Sequence, residues 1–562
     1  MTRALRRRIG AGVAAVVTLL LAACTAMPTS GPVQQGGDGR IDEPSSIDVL
    51  AEGPRPDAAP LEIVESFLVA GSAGFRDDFV VARQYLAGQA RAEWQPLAGV
   101  VVSGALEFGD MGNGQVQVDV PVVARVDREG RYAEAPTGAE SSVTFGLVQD
   151  DDDQWRISEA PDGLVVPTDD FEVFFRQTSI YFLSPDETFL VPEQRWLPVK
   201  SRETSVVSAL LAGPSPWLRD AVHTALPDGV QLKPEAVRVD PEGVAHVGLF
   251  STRTSELLDA DRPLLLAQIE QSLLALPGVT AVDVTAGGVS LTGAASLRSG
   301  EGPAAAPEVL QDGALLQVGT DGLAPVDGVG PLTVPDPHHP ARDETGTVRV
   351  VLSGDRSLVT VPTEDDPGTT LYEGTALSAP SVDRFGYAWT TDVGVGVVAA
   401  LAAGATGEPP AQAVHVAAPE LDGRTVRAVR VSRDGVRVAV VSTGDDGVAV
   451  ALGAILRDSH GVPQAIGELV RVGTPLTVAS AVVWLDEATL GVLATENGDS
   501  VVHVVPLAGE TTELPRASGL VSLSGGRTPY AATADGSLLR LVGTTWVRIA
   551  DVAGVRDPSV AG

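Results

Sequence analysis

The stretch Val429-Arg430-Val431-Ser432-Arg433-Asp434-Gly435-Val436-Arg437-Val438-Ala439-Val440-Val441 decides how the second half of this chain folds. Two runs of mostly β-branched residues, Val429–Val431 and Val436–Val441, flank Ser432-Arg433-Asp434-Gly435. Valine suits a pleated, half-buried surface, and Ser, Asp and Gly bend the chain, so the stretch reads as an antiparallel hairpin. The pattern recurs. Val348–Leu352 and Leu358–Val361 flank Ser353-Gly354-Asp355-Arg356, and Val482–Leu485 and Thr489–Leu493 flank Asp486-Glu487. Ser381-Val382-Asp383-Arg384 precedes Phe385–Trp389, and Ser524-Gly525-Gly526 precedes Tyr530–Thr533. The turn centres at 355, 383, 434, 486 and 525 lie 28, 51, 52 and 39 residues apart. Propeller blades repeat at about 40–50 residues, so the first gap is short and the middle two slightly long. No long amphipathic helix interrupts residues 309–562. The segment is expected to be an all-β propeller of about five to seven blades, with a pair of β-sandwiches as the alternative.

Upstream, residues 296–308 are rich in Ala, Gly, Pro and Ser and read as a linker. Residues 171–295 form a second unit. Hairpins are expected around Ser184-Pro185-Asp186-Glu187 and Asp240-Pro241-Glu242-Gly243, and a short apolar segment, Val206–Leu211, stops at Ala212-Gly213-Pro214. A helix is expected from about Arg262 to Leu276, with Asp261 as N-cap, Pro263 in the first turn and Pro277-Gly278 ending it. Its stripe of Leu266, Ile269, Leu273 and Leu276 should cover a sheet whose strands include Val279–Val284 and Val289–Leu291.

Residues 59–170 begin with helical spacing (Leu61, Val64, Phe67, Leu68), followed by a second helix opened by Asp77-Asp78. The period then becomes two, with Val116, Val118 and Val120 alternating with polar residues and Val143, Phe145 and Leu147 doing the same. Helices followed by an antiparallel sheet read as α+β. The run Asp150–Asp153 lacks the glycine and spacing of a calcium loop and reads as a solvated hairpin turn, with a cation site as the alternative.

The chain opens with Arg3, Arg6, Arg7 and Arg8, then an apolar run from Ile9 to Ala23, then Cys24 and a polar tail. This is the pattern of a secretory signal peptide over residues 1–23, too short to span a bilayer. Leu21-Ala22-Ala23-Cys24 resembles the lipobox of bacterial lipoproteins, which implies cleavage between Ala23 and Cys24 and lipid on the Cys24 thiol. The alternative is a small residue near an ordinary cleavage site. Cys24 is the only cysteine, so it has no disulfide partner. Residues 24–58 read as a tether with a reach of roughly 30 Å.

Formal net charge is −34, and losing the four arginines of residues 1–23 takes it to −38. That charge argues against nucleic acid and against electrostatic adhesion to anionic lipid. No other segment is long enough to span a membrane; the nearest, Val393 to Ala405, is broken by glycines. None of His223, His246, His338, His339, His415, His460 and His503 forms a close ligand pair on one element. His338-His339, in Pro-Asp-Pro-His-His-Pro, reads as a surface loop, and His246 and His503 fall in strands. There is no phosphate cradle and no cysteine nucleophile, so the residues indicate no catalytic group, metal site or cofactor. A solute-binding lipoprotein needs alternating strands and helices throughout, which the helix-poor second half lacks.

The motifs Tyr181-Phe182-Leu183, Arg195-Trp196-Leu197-Pro198, Ala209-Leu210-Leu211-Ala212-Gly213-Pro214-Ser215-Pro216-Trp217-Leu218 and Ala225-Leu226-Pro227-Asp228-Gly229-Val230, followed by Pro277-Gly278-Val279, resemble the actinobacterial lipoprotein LpqB family. With the lipobox, the resemblance covers nearly the whole chain. It implies a GerMN domain, named from spore-germination proteins, in the middle, and a C-terminal propeller. It implies a lipid-anchored protein on the extracytoplasmic face of the cell membrane. Such a protein would contact the outward domain of an MtrB-like sensor histidine kinase and modulate two-component signalling linked to envelope and division. It carries over no catalytic residues. A wall-directed hydrolase or lyase on the propeller and a solute-binding lipoprotein are the competing expectations.

Overall fold

The computed structural model describes residues 52–251, 261–300, 306–319, 322–364, 366–402, 413–496, 499–550 and 552–561. Cys24, the signal segment and the first part of the tether lie outside the described residues.

The N-terminal domain is a seven-stranded sheet covered by one principal helix. Its spine is Gln115–Asp127, where Val116, Val118, Val120, Val122, Ala124 and Val126 point inward and the intervening residues outward. Gly99–Ser103 and Glu140–Gln149 pair antiparallel on either side of it, and Leu164–Pro167 adds a parallel edge. The helix Pro60–Ala73 buries Ile63, Val64, Phe67 and Leu68 against the sheet. Asp77 accepts the N–H groups of Phe79 and Val81, holding the start of a short helix, Val80–Gln84. The Asp150–Asp153 run is a hairpin turn, in which Asp150 accepts from the N–H groups of Asp152 and Gln154.

A long hairpin, Phe175–Leu183 with Leu190–Pro198, leads into the middle domain. Its first strand leaves one core and enters the next. Phe171, Phe174 and Phe175 are buried in the N-terminal core, while Ile180 and Phe182 belong to the middle one. The apolar Val206–Leu211 segment is part of a helix, Arg202–Ala212. A second helix, Arg262–Leu274, buries Leu266, Ile269 and Leu273, and Leu276 just beyond it is buried too. Asp261 holds the N-cap position without a side-chain cap bond. The helix packs on Phe175–Leu183 and on Ala281–Ala286 of a five-stranded sheet, whose central pair, Val244–Phe250 and Ala281–Ala286, is parallel.

The C-terminal half is a β-propeller of six blades. The innermost strands are Arg556–Ser559, Pro337–Arg342, Ser381–Val382, Thr425–Val431, Ala481–Trp484 and Leu520–Leu523, and neighbouring members of this ring pack on one another all the way round. Blade 1 joins the two ends of the domain: its three outer strands come from Glu308–Pro325 and its inner one from Arg556–Ser559. Glu308, placed by sequence at the end of a linker, is buried in this blade and pairs with Arg349 at 2.9 Å.

The structure also explains the short first gap between turns. The turns at 383, 434, 486 and 525 each join the first and second strands of blades 3 to 6, whereas Ser353–Arg356 joins the second and third strands of blade 2. The equivalent bend in blade 2 is at Asp343, which accepts the N–H of Val348 just as Asp434 accepts those of Val436 and Arg437. In the deciding stretch Gly435 has φ +73°, and a Cβ there would lie 2.9 Å from the Phe385 ring, so glycine is required. His338 and His339 are not in a surface loop. They lie in the innermost strand of blade 2, because the strand pairs with Arg349–Ser353 through a bulge at those residues.

Candidate functional site

The face of the propeller that carries the first-to-second-strand turns is covered by the tip of the middle domain's hairpin. Ser184–Phe189 is a tight turn in which the Ser184 and Thr188 hydroxyls donate to the two oxygens of Asp186. That leaves the carboxylate presented to Arg384 of blade 3, which donates to both oxygens at 2.7 Å. Burial opposes the charge on Asp186, but these hydrogen bonds outweigh it and hold the carboxyl well below its usual range. Phe189, at the end of the turn, is buried beneath Arg298, Arg384 and Arg433, whose guanidinium carbons lie 4.4, 4.8 and 5.6 Å from its ring centre. Arg433 donates to Gly300 O and Glu344 at 2.6 and 2.7 Å. Tyr181 donates to Glu487 Oε1 at 2.8 Å; burial, then that carboxylate, push its phenol well above the usual range.

Beneath this cover lies a cavity of about 570 Å³ reaching into the propeller channel. This is within the usual size range of small-molecule sites, about 300–1,000 Å³. Its walls are apolar in part (Leu190, Pro192, Val382, Val483, Val521, Leu523), with Arg430, Arg437, Trp484, His339 and Asp557 among its polar lining. Arg437 and Asp434 form a buried pair at 2.7 Å, and Arg437 also reaches Pro192 O of the hairpin at 3.3 Å. Burial alone would raise the Asp434 carboxyl, but Arg437, Ser432 and backbone N–H donors lower it.

At the closure of blades 1 and 2, His339 and Asp557 both have φ of +50°, in the left-handed region that Asp and His enter more readily than most non-glycine residues. The His339 N–H donates to Asp557 Oδ2 at 3.1 Å, and its Nδ1 lies 3.2 Å from Asp557 Oδ1. Burial opposes ionisation of Asp557, and His339 more than offsets it. Burial, then His339 alongside, lowers the pKa of the His338 ring.

A second cavity, of about 600 Å³, sits where all three domains meet, lined by Val101, Tyr132, Glu193, Trp217 and Ala508 among others. Its polar wall is satisfied from within: Glu193 takes Arg195 at 2.5 Å, the Ser215 N–H at 2.9 Å and the Ser215 hydroxyl. That network ties the hairpin to the Ser215 turn.

Sequence reasoning singled out histidines and missed Arg430, Arg384 and Phe189. Arg430 and Arg427 both lie in the innermost strand Thr425–Val431, and which of the two faces the channel is not local information. His246 is exposed between Asp240 and Asp283, and His503 is buried in blade 5. Among the described residues no group of His, Cys, Asp and Glu has the arrangement of a metal site, and no helix is long and apolar enough to cross a membrane.

Three family models match in series: "Lipoprotein LpqB, N-terminal domain" over residues 53–172, "Sporulation and spore germination" over 179–292, and "Lipoprotein LpqB beta-propeller domain" over 313–561. The chain is 30% identical to Lipoprotein LpqB of Streptomyces coelicolor over 97% of both chains. It is 28% identical to that of Thermobifida fusca over 91% of this chain and 92% of the other. The match to Lipoprotein LpqB of Cutibacterium acnes is 32% identical and spans about half of each chain, 50% of this one and 47% of that one. Among solved structures, the Cps50 (Swd1) β-propeller domain of Myceliophteria thermophila aligns at 9% identity with a TM-score of 0.30, covering 46% of this chain and 88% of that one. Regucalcin, a calcium-binding protein from Agrobacterium tumefaciens, aligns at 12% identity with a TM-score of 0.28, covering 40% and 74%.

Proposed function

The chain belongs to the LpqB lipoprotein family, and on that premise we propose that it is a lipid-anchored, extracytoplasmic accessory protein that binds the outward domain of an MtrB-like sensor histidine kinase and modulates its signalling. The observation that supports the reading is the match over 97% of the Streptomyces coelicolor lipoprotein. The role is one of binding and not of catalysis. Lipid on Cys24 would confine the protein to the membrane surface, raising its effective concentration near a membrane-bound partner so that a weak contact suffices. A chain of formal charge −38 after cleavage would meet a neutral or basic patch, and its on-rate would fall with salt.

The test mixes purified residues 25–562 with the kinase's outward domain. Binding at about micromolar Kd or tighter, weakened by salt, is the expected result. No binding, together with turnover of a wall glycan or peptide, would overturn it in favour of a hydrolase. Separately, Cys24→Ser should move the protein from membrane to soluble or uncleaved forms. An intact mass of the mature wild type without lipid on Cys24 would remove the anchor from the reading.

A further inference from the structure

We propose that the propeller cavity beneath the hairpin binds a small organic oxyanion, a carboxylate or phosphate on an apolar body, with Arg430 as its anchor. Each carboxylate of the cavity lining accepts at least one hydrogen bond or ion pair from the protein. Asp434 is spent on Arg437, Glu344 on Arg433 and Arg298, and Asp557 on His339. Glu487 accepts from Tyr181, and Asp486 accepts the N–H of Ala488. Two arginines of the lining, Arg430 and Arg540, pair with no carboxylate among the described residues; Arg540 is exposed on the strand Leu538–Val542, whereas Arg430 stands in the innermost strand of blade 4. Arg430 Nη1 donates to Ala379 O at 2.7 Å and to Val429 O at 2.8 Å. These bonds hold the guanidinium across the space between blades 3 and 4, with Nε and Nη2 left over as donors. Their fork matches the two oxygens of a carboxylate or phosphate. Desolvation draws its pKa down to about 10, so at neutral pH it remains a cation, one that lacks the counter-charge such a site favours.

The second observation is the wall. Val521 belongs to the innermost strand of blade 6, where its neighbours Leu520 and Leu523 are buried, yet it is 54% exposed and lines the cavity. With Val382, Val483 and Leu523 it offers an apolar surface that an anion alone would not use. The third is a polar pair on the same cavity, His339 and Asp557, which hold each other in place through the His339 N–H and Nδ1. His339 turns Nδ1 to Asp557, which leaves Nε2 as a further polar contact.

This proposal is independent of the kinase reading, and its test uses no kinase. The mature chain is titrated calorimetrically with hexyl phosphate, hexanoate, inorganic phosphate and hexylamine. Saturable binding of hexyl phosphate or hexanoate at about millimolar Kd or tighter, with no binding of hexylamine, is expected, and which of the two binds more tightly identifies the head group. Arg430→Gln should weaken binding at least about tenfold. Because Arg430 also bridges two backbone carbonyls, Val521→Glu serves as the second variant. It places a carboxylate at a position already open to the cavity, so it should abolish binding while thermal unfolding stays unchanged. No saturable binding of either hexyl anion, equal binding of hexylamine, inorganic phosphate as tight as hexyl phosphate, or Val521→Glu binding like the wild type would each overturn it.

Discussion

The hairpin Phe175–Pro198 meets its neighbours in two different ways at its two ends. At the base, Trp196 packs at 4.7 Å from Phe171 and 6.0 Å from Tyr132 in the N-terminal core, and its Nε1 donates to Ala508 O of the propeller at 2.8 Å. Next to it Arg195 and Glu193 are fully desolvated and satisfied by Ser215 and Glu129 O. At the tip, Phe189 is held by guanidinium groups, and Asp186 by Arg384, with about a third of the Asp186 side chain still in contact with water. One aromatic anchor is therefore set in a shared core and the other in an electrostatic clasp. Hydrophobic burial is not weakened by charge screening, while a half-solvated ion pair is. The base ties the hairpin to both the N-terminal core and the propeller, and the tip closes a cavity largely through charged contacts.

Four changes would break or sharpen that contrast. Trp196→Ala should have the largest effect, about 3–5 kcal/mol in denaturant unfolding, because it removes a large side chain from the N-terminal core and a hydrogen bond to the propeller. An unchanged midpoint would mean the base is not a shared core. Leu273→Ala, in the middle domain away from both ends, should cost about 2–5 kcal/mol, since the side chain is fully buried in the core. It sets the scale for a core defect that leaves the domain contacts intact, and a midpoint shift near zero would place the helix stripe in solvent. Asp186→Asn should cost no more than about 1 kcal/mol globally, discounted for solvent exposure, yet speed amide exchange over Ser184–Phe189. Equal exchange in the two proteins would show that the ion pair does not hold the tip.

The smallest effect is that of pH. The Asp186 carboxyl is depressed on folding, so its contribution is present above the unfolded carboxylate value of about 3.9 and is lost as pH falls through the lower folded value. Acidification below about pH 4 should loosen the tip in the wild type and leave Asp186→Asn comparatively unaffected, read by the same exchange experiment. A parallel response in both proteins would assign the acid sensitivity elsewhere.

Much of the fold is local, and to that extent it could be read from the residues alone. Val429–Val431 and Val436–Val441 around a Ser-x-Asp-Gly bend make a hairpin whatever surrounds them, because valine stiffness, side-chain alternation and a glycine at positive φ act within a dozen residues. The buried Leu266, Ile269 and Leu273 follow from helical period in the same way. The blade count did not follow, because the bend at Asp343 resembles the neighbouring Ser353–Arg356 and only pairing tells first-to-second-strand turns from the rest.

Sequence by itself determined the class of each domain, the acidic charge of the chain, the lipobox-like start and most of the hairpins. Tertiary structure alone decided that Arg556–Ser559 completes blade 1 and that the hairpin tip covers the channel. It also decided that Arg430 stands in that channel without a carboxylate while Arg437, seven residues on, has one. Both arginines sit in the stretch that revealed the fold, with the same residue type and similar neighbours. What separates them is which side chains from distant segments converge on each, and convergence of that kind is a property of ring closure and domain docking, not of any local pattern.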